Sequence, residues 1–149
     1  MSEHRSTLEW KRNTPDFRYE TYDRTFDLGF GGGLKIQASS APEYLGKAEL
    51  PNPEEMLAAS ASSCHFLSFL ALAAKHRLVV DEYRDDPVAV LEKNAEGKLA
   101  ITRIYLRPRV KFEGEAPTRE KILSLHEKAH EICFIASSLK SEIVLELQE

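Results

Sequence analysis

Apolar and polar positions along this chain change their rhythm several times, and each change marks a different kind of element. Up to Ser39 the apolar residues come in short runs. Leu8–Arg12, Phe17–Tyr19 and Thr25–Ser39 read as strand-forming segments separated by polar turns, with Gly31-Gly32-Gly33 as a hairpin turn or bulge. A glycine triplet can also cradle phosphate, but that role wants a strand before it and a helix directly after. Here Leu34-Lys35-Ile36-Gln37-Ala38 alternates as another strand, so the turn reading is preferred.

A loop with Pro42, Gly46, Pro51 and Pro53 leads into Met56–Ala74, 19 residues without Asp, Glu, Lys or Arg. That length approaches the roughly 20 apolar residues of a membrane span. Yet the stretch carries Ser60, Ser62, Ser63, His65 and Ser68, much of the rest is alanine, and no second hydrophobic span accompanies it. It reads instead as a helix buried in a protein core. Pro87–Lys93 and Leu99–Phe112 then form an expected antiparallel pair joined at Asn94–Gly97. Ile104, Leu106, Val110 and Phe112 fall on one face and Arg103, Arg107, Arg109 and Lys111 on the other, the alternation of a sheet with one buried side. The basic row reads as a solvated face rather than a nucleic-acid surface.

Thr118 offers a cap for a helix whose apolar stripe is Ile122, Leu125, Ala129, Ile132, Cys133 and Ala136. Glu142–Leu147 alternates as a final strand. Strands, a buried helix, more strands, then a helix and a strand make an α+β chain rather than an alternating βαβ design. At 149 residues, 42% hydrophobic and 30% charged, it fits a single domain, 1–149, with a sizeable core. A net charge of −4 with scattered basic residues argues against a nucleic-acid partner. The segment Met1–Arg24 is studded with charge and offers no apolar run before a cleavage site, so no secretory signal is expected and the cytoplasm is the expected compartment. There a transient, functional disulfide is a better expectation than a lasting structural one.

The chain has two cysteines. Cys64 sits mid-helix, with Ser60, Ala61, Ser68 and Ala71 on its side in a groove of small residues. Cys133 is expected near the C-terminus of its helix, where the negative end of the macrodipole disfavours a thiolate. Neither helix activates its own thiol, so a reactive one needs a cation from elsewhere, and Cys64 is the better nucleophile. A small core hydrophobe remains the plain alternative for each. Zinc is conceivable from Cys64-His65 and His130-x-x-Cys133, but neighbours on a helix point about 100° apart and no C-x-x-C spacing supports it. His65 then reads as a satisfied core or interface histidine.

Asn52-Pro53-Glu54-Glu55-Met56-Leu57-Ala58-Ala59, followed by Ala61-Ser62-Ser63-Cys64-His65, resembles the central-helix signature of the OsmC/Ohr family. Ala129-His130-Glu131-Ile132-Cys133-Phe134-Ile135-Ala136 resembles that family's second cysteine motif. Ser40-Ala41-Pro42-Glu43 and the hairpin around Leu91-Glu92-Lys93 are similar to its OsmC-like branch. The resemblance runs from about Tyr22 to the C-terminus.

It implies an OsmC-like α+β fold, with antiparallel sheets around a buried central helix in an interwoven homodimer. It also implies reduction of organic hydroperoxides, and to a varying degree hydrogen peroxide, without flavin, haem or metal. By the same resemblance Cys64 is the peroxidatic cysteine and Cys133 its resolving partner. The arginine of an early strand maps to Arg24 and the glutamate after Asn-Pro to Glu54. The expected cycle is attack by the Cys64 thiolate, a sulfenic acid, condensation with Cys133, and reduction by an external thiol or dithiol. Arg24 would lower the thiol's pKa and Glu54 would grip the guanidinium. A surface arginine and a helix-start carboxylate are the plain alternatives. Met56, Leu57, Phe66, Phe69 and Phe134 suggest an apolar vestibule or ordinary core packing. A noncatalytic dimeric binding protein for a small apolar ligand and a thiol redox sensor are the rival functions. No membrane partner is expected.

Overall fold

The computed structural model describes residues 1–148, which fall into two compact units, Met1–Met56 and the chain from Leu57 onward. The first unit is an antiparallel sheet of β1 (Ser6–Glu9), β2 (Phe26–Phe30) and β3 (Lys35–Ala38) in sequential order. Leu8, Leu28 and Ile36 stand opposite one another across it, so the alternation read from the sequence sets the register. The glycine triplet makes the turn between β2 and β3. Gly33 donates its N–H to the Phe30 carbonyl at 2.9 Å with φ at +92°, a conformation that favours glycine.

Phe17–Tyr19 is not a strand. The chain turns there, with the amides of Thr21 and Tyr22 both donating to the Arg18 carbonyl. Phe17 is held by rings instead of a ladder, 5.9 Å from Trp10 and 5.2 Å from Tyr22. Trp10 also donates its indole N–H to the Asp23 carbonyl at 2.7 Å. Past β3, Gly46 lies so close to the backbone of Ser40 that a Cβ would fall 1.6 Å from that carbonyl oxygen. Only glycine fits there.

The long helix α1 (Pro53–Lys75) extends beyond the expected Met56–Ala74 at both ends. Its start is a reciprocal box: Asn52 Oδ1 accepts the Glu55 N–H at 2.9 Å, while Glu55 Oε2 accepts the Asn52 N–H at 3.2 Å. Ala58, Ala61, His65, Phe69 and Ala73 form its buried face, spaced by three and four. Length and composition alone would let α1 cross a membrane.

In the second unit β4 (Val80–Arg84) pairs with β7 (Arg109–Phe112), and β5 (Val88–Lys93), β6 (Leu99–Leu106) and β8 (Glu142–Leu145) form a three-stranded sheet. The expected long strand Leu99–Phe112 is thus two strands. The break falls at Pro108, which has no N–H for a ladder, and each half takes a different partner. The predicted inner face survives the break: Ile104, Leu106 and Phe112 are buried. The closing strand is shorter than Glu142–Leu147 and runs parallel to β6, an exception to the all-antiparallel expectation. Much of the basic row is neutralised, with Arg103 on Glu92 at 3.0 Å, Arg107 on Glu146 at 2.7 Å and Lys111 on Glu82 at 3.1 Å. Such exposed pairs add little stability, but they cancel the charge that would attract a polyanion.

Helix α2 (Arg119–Ile132) is capped as expected, Thr118 Oγ1 accepting the Lys121 N–H. Ile132, however, is half exposed. A five-residue helix α3 (Phe134–Ser138) follows after a break at Cys133. Two apolar clusters anchor this unit. Phe69, Ala73, Phe112, Leu125 and Ala129 form one, and Ala58, Ala61, Ile104 and Leu106 the other. Burying a ring such as Phe69, which is fully enclosed, contributes about 1.5–3 kcal/mol relative to exposure.

Candidate active site

The second unit brings the two cysteines together. Both are free thiols, Cys64 partly exposed on α1 and Cys133 only 1% exposed. Their side chains are neighbours, near enough for the Cys64 thiol to bear on that of Cys133. Cys133 is at the C-terminal end of a helix, as expected. It ends α2 and caps α3, and its Sγ accepts the Ala136 N–H at 3.4 Å. Burial, and then the Cys64 thiol beside it, push the Cys133 pKa above its ordinary value, against the opposing pull of the Ala136 and Ile135 amides. Burial thus adds to the C-terminal end of α2 in making Cys133 a poor thiolate.

Arg24 and Glu54 belong to the first unit. Arg24 precedes β2 rather than lying on a strand. Its guanidinium donates to the carbonyls of Tyr22 at 3.0 Å and Tyr19 at 2.7 Å, and stacks 3.9 Å from the Tyr22 ring centre. It lines a cavity of about 420 Å³ with Leu8, Trp10, Phe17, Tyr22 and Phe26. Glu54 Oε2 is buried without a hydrogen-bond partner, and among the described residues no ion pair joins Arg24 to Glu54. Of the suggested vestibule residues, Phe69 is core, Phe66 packs on Tyr83 with ring centres 4.9 Å apart, and Phe134 is 82% exposed.

One polar cluster went unread in the sequence. His65 and His126, both buried, join Nε2 to Nδ1 at 2.9 Å with ring planes 4° apart. His126 stacks on Phe69 at 4.2 Å, and the Tyr83 ring lies 6.4 Å from it. His65 is therefore a core histidine but not a satisfied one: its Nδ1 lacks a partner, as do His126 Nε2, His130 Nδ1 and the Tyr83 hydroxyl. Close by, the Asp85 carboxylate accepts from the Ser62 hydroxyl at 2.5 Å and the Arg107 N–H at 2.6 Å. Ser62, Phe66, Tyr83 and Asp85 line a cavity of about 330 Å³. Among the described residues no group of three or more His, Cys, Asp or Glu side chains is placed to hold a metal ion.

Burial pulls the His65 pKa down to about 4 and that of His126 to about 3, helped by repulsion from His130 and from His65 respectively. Both are neutral at neutral pH. An unfolded chain, by contrast, takes up protons on these residues near pH 6.5. Stability contributed by keeping them neutral is complete above about pH 6.5, falls as the pH drops through the window down to about 4 for His65 and about 3 for His126, and levels off once the folded state also protonates. For His65 alone the displacement corresponds to roughly 3 kcal/mol. Urea midpoints from pH 7 to pH 4 should therefore fall more steeply for the wild type than for a His65→Gln/His126→Phe double variant. Parallel slopes would mean that the pair is not held neutral.

Residues 46–148 match the family described as OsmC-like protein. A solved structure of an OsmC-like protein of unknown function from Vibrio cholerae is 42% identical, covers 99% of this chain and 100% of its own, and superposes with a TM-score of 0.95. The organic hydroperoxide resistance protein OhrB of Bacillus subtilis is similar in fold, with a TM-score of 0.70 at 20% identity over 99% of this chain and 98% of its own. The uncharacterized protein YmaD of Bacillus subtilis is 24% identical over 119 residues, 78% of this chain and 79% of that protein. A match across residues 46–148 is more than half of the chain, and with it the α+β architecture of helix and sheets agrees: the chain belongs to the OsmC-like protein family.

Proposed function

We propose that this protein is a thiol-dependent peroxidase that reduces organic hydroperoxides, and to some degree hydrogen peroxide, in oxidative-stress defence. The observation that carries the reading is that Cys64 and Cys133, distant in sequence, are neighbouring free thiols. The more exposed Cys64 attacks the distal peroxide oxygen and the O–O bond breaks. Alcohol leaves and Cys64 becomes a sulfenic acid. The Cys133 thiol then displaces the hydroxyl of Cys64 as water, closing the S–S bond, and an external dithiol restores both thiols.

Arg24 is assigned the role of thiolate activator and Glu54 that of the carboxylate that orients it, both by family resemblance. The orphaned oxygen of Glu54 is consistent with a guanidinium partner in the working enzyme. The same resemblance supports an interwoven homodimer. A relative named for organic hydroperoxide resistance favours peroxide as the oxidant. The largely apolar cavity beside Arg24 supports a second reading, noncatalytic binding of a small apolar ligand. Peroxide consumption by the purified protein with a panel of monothiols and dithiols separates the two. Multiple turnovers with a dithiol, slowed in Arg24→Ala, are expected; no turnover with any thiol leaves the binding reading.

A further inference from the structure

We propose that His126, His65 and His130, entered through Tyr83, form a proton relay that serves Cys133 when the Cys64–Cys133 disulfide is reduced. The inference deepens the proposed function and rests on that disulfide, though not on peroxide being its oxidant.

The need for a relay follows from burial. Cys64 is the exposed partner, so an external thiolate attacks its sulfur. A new S–S bond joins the reductant to Cys64, the Cys64–Cys133 bond breaks, and its electron pair stays on Cys133. Cys133 is 1% exposed, with a thiol pKa raised by that burial, so the departing thiolate takes up a proton as it leaves. The second thiol of the reductant then displaces Cys64. Bulk water does not reach Cys133 directly, and the proton has to come through the core.

Of the polar groups in that core one pair is bonded, His126 to His65, and the others lie beside it with atoms free to take up a proton. The 330 Å³ cavity is lined by Tyr83, Asp85 and Ser62 at its polar end. The Tyr83 ring neighbours His126, and His126 is bonded to His65 at 2.9 Å. His126, His130 and Cys133 are spaced four and three residues apart, one face of α2 and its end. His65 follows Cys64 on α1 and feels the charge of His130. A neutral imidazole accepts a proton at one nitrogen and releases one from the other, so a bonded pair transmits without storing charge.

The unpartnered atoms make the same point energetically. His65 Nδ1, His126 Nε2, His130 Nδ1 and the Tyr83 hydroxyl are all buried and orphaned. Each such group is left desolvated without compensation, a cost to the fold. Phenyl rings stacked on Phe69 would fill the same space without that cost, so packing alone does not account for imidazoles here.

The test uses the full-length protein with its disulfide preformed by diamide, which takes up two electrons and two protons without peroxide. Reduction by dithiothreitol is followed by stopped flow. His126→Phe should be slower by about a hundredfold or more, the range of a lost proton transfer. His126→Ala should regain rate with added imidazole and not with pyrrole, a ring of like shape without a basic nitrogen. Wild-type rates in His126→Phe overturn the relay, as does rescue by both rings or by neither. Should the variants not fold, the wild-type rate in H2O/D2O mixtures decides: a curved dependence, several protons in transit, supports the relay and a linear one overturns it. If diamide closes the disulfide but peroxide does not, the peroxidase reading fails while the relay is still decided. If no disulfide forms, the relay has nothing to serve and falls.

Discussion

Cys64→Ser is expected to lose peroxide reduction altogether, a drop of roughly a thousandfold or more, because losing a nucleophile removes the reaction path rather than slowing it. The hydroxyl of serine is slightly smaller than the thiol and keeps a donor for Cys133, so the helix should hold its place. Cys64 is partly exposed, which limits any packing loss. Peroxide consumption beside a far-ultraviolet spectrum checks both halves of the expectation. A folded Cys64→Ser protein that still consumes peroxide with dithiol would remove Cys64 from the mechanism.

The second large effect belongs to Cys133. With stoichiometric peroxide the wild type should close the Cys64–Cys133 bond and lose about 2 Da, whereas Cys133→Ser should stop at a Cys64 sulfenic acid and gain about 16 Da per oxygen. Deprived of the neighbouring sulfur, the sulfenic acid is open to further oxidation, so the variant should turn over once and then accumulate irreversible adducts. The contact between the thiols makes the first closure fast and intramolecular. Intact-mass spectra at increasing peroxide would reveal the difference. Equal steady turnover of wild type and Cys133→Ser with dithiols would assign the resolving thiol to the reductant instead.

Elements with a clear rhythm were legible from sequence. The Gly31–Gly33 hairpin, the Thr118 cap and the uncharged central helix all follow from local chemistry, and each is where the periodicity puts it. β4 was missed because its ladder is irregular: a shift in register between Val80 and Glu82 spoils the alternation, leaving only Val80 and Tyr83 as apolar cues. Pro108 was a readable signal. A residue without an N–H inside an apparently continuous strand argues for a break. Phe17–Tyr19 misled because aromatic residues favour strands, while here Phe17 packs on the rings of Trp10 and Tyr22 and stays largely exposed.

At the candidate site the two cysteine motifs were legible through resemblance, but their contact was not, since only tertiary packing joins α1 to the end of α2. The histidine pair shows the limit best. His126 stands beside Leu125 and Ala129 on the buried arc of α2, so its burial could be inferred, yet no periodic pattern names His65 as its partner. Arg24 stayed a carry-over because the segment before β2 has no strand pattern to fix it.

The lone indole of the chain, on Trp10, has a practical consequence. It is clasped by Phe17, Tyr22 and the Asp23 carbonyl within Met1–Met56, whereas nearly all helical residues lie from Leu57 onward. Emission and dichroism therefore watch different halves of one molecule. Superimposable melting curves from the two signals would mark a single cooperative transition, and offset curves would resolve two, so the protein carries its own pair of independent thermometers without any label.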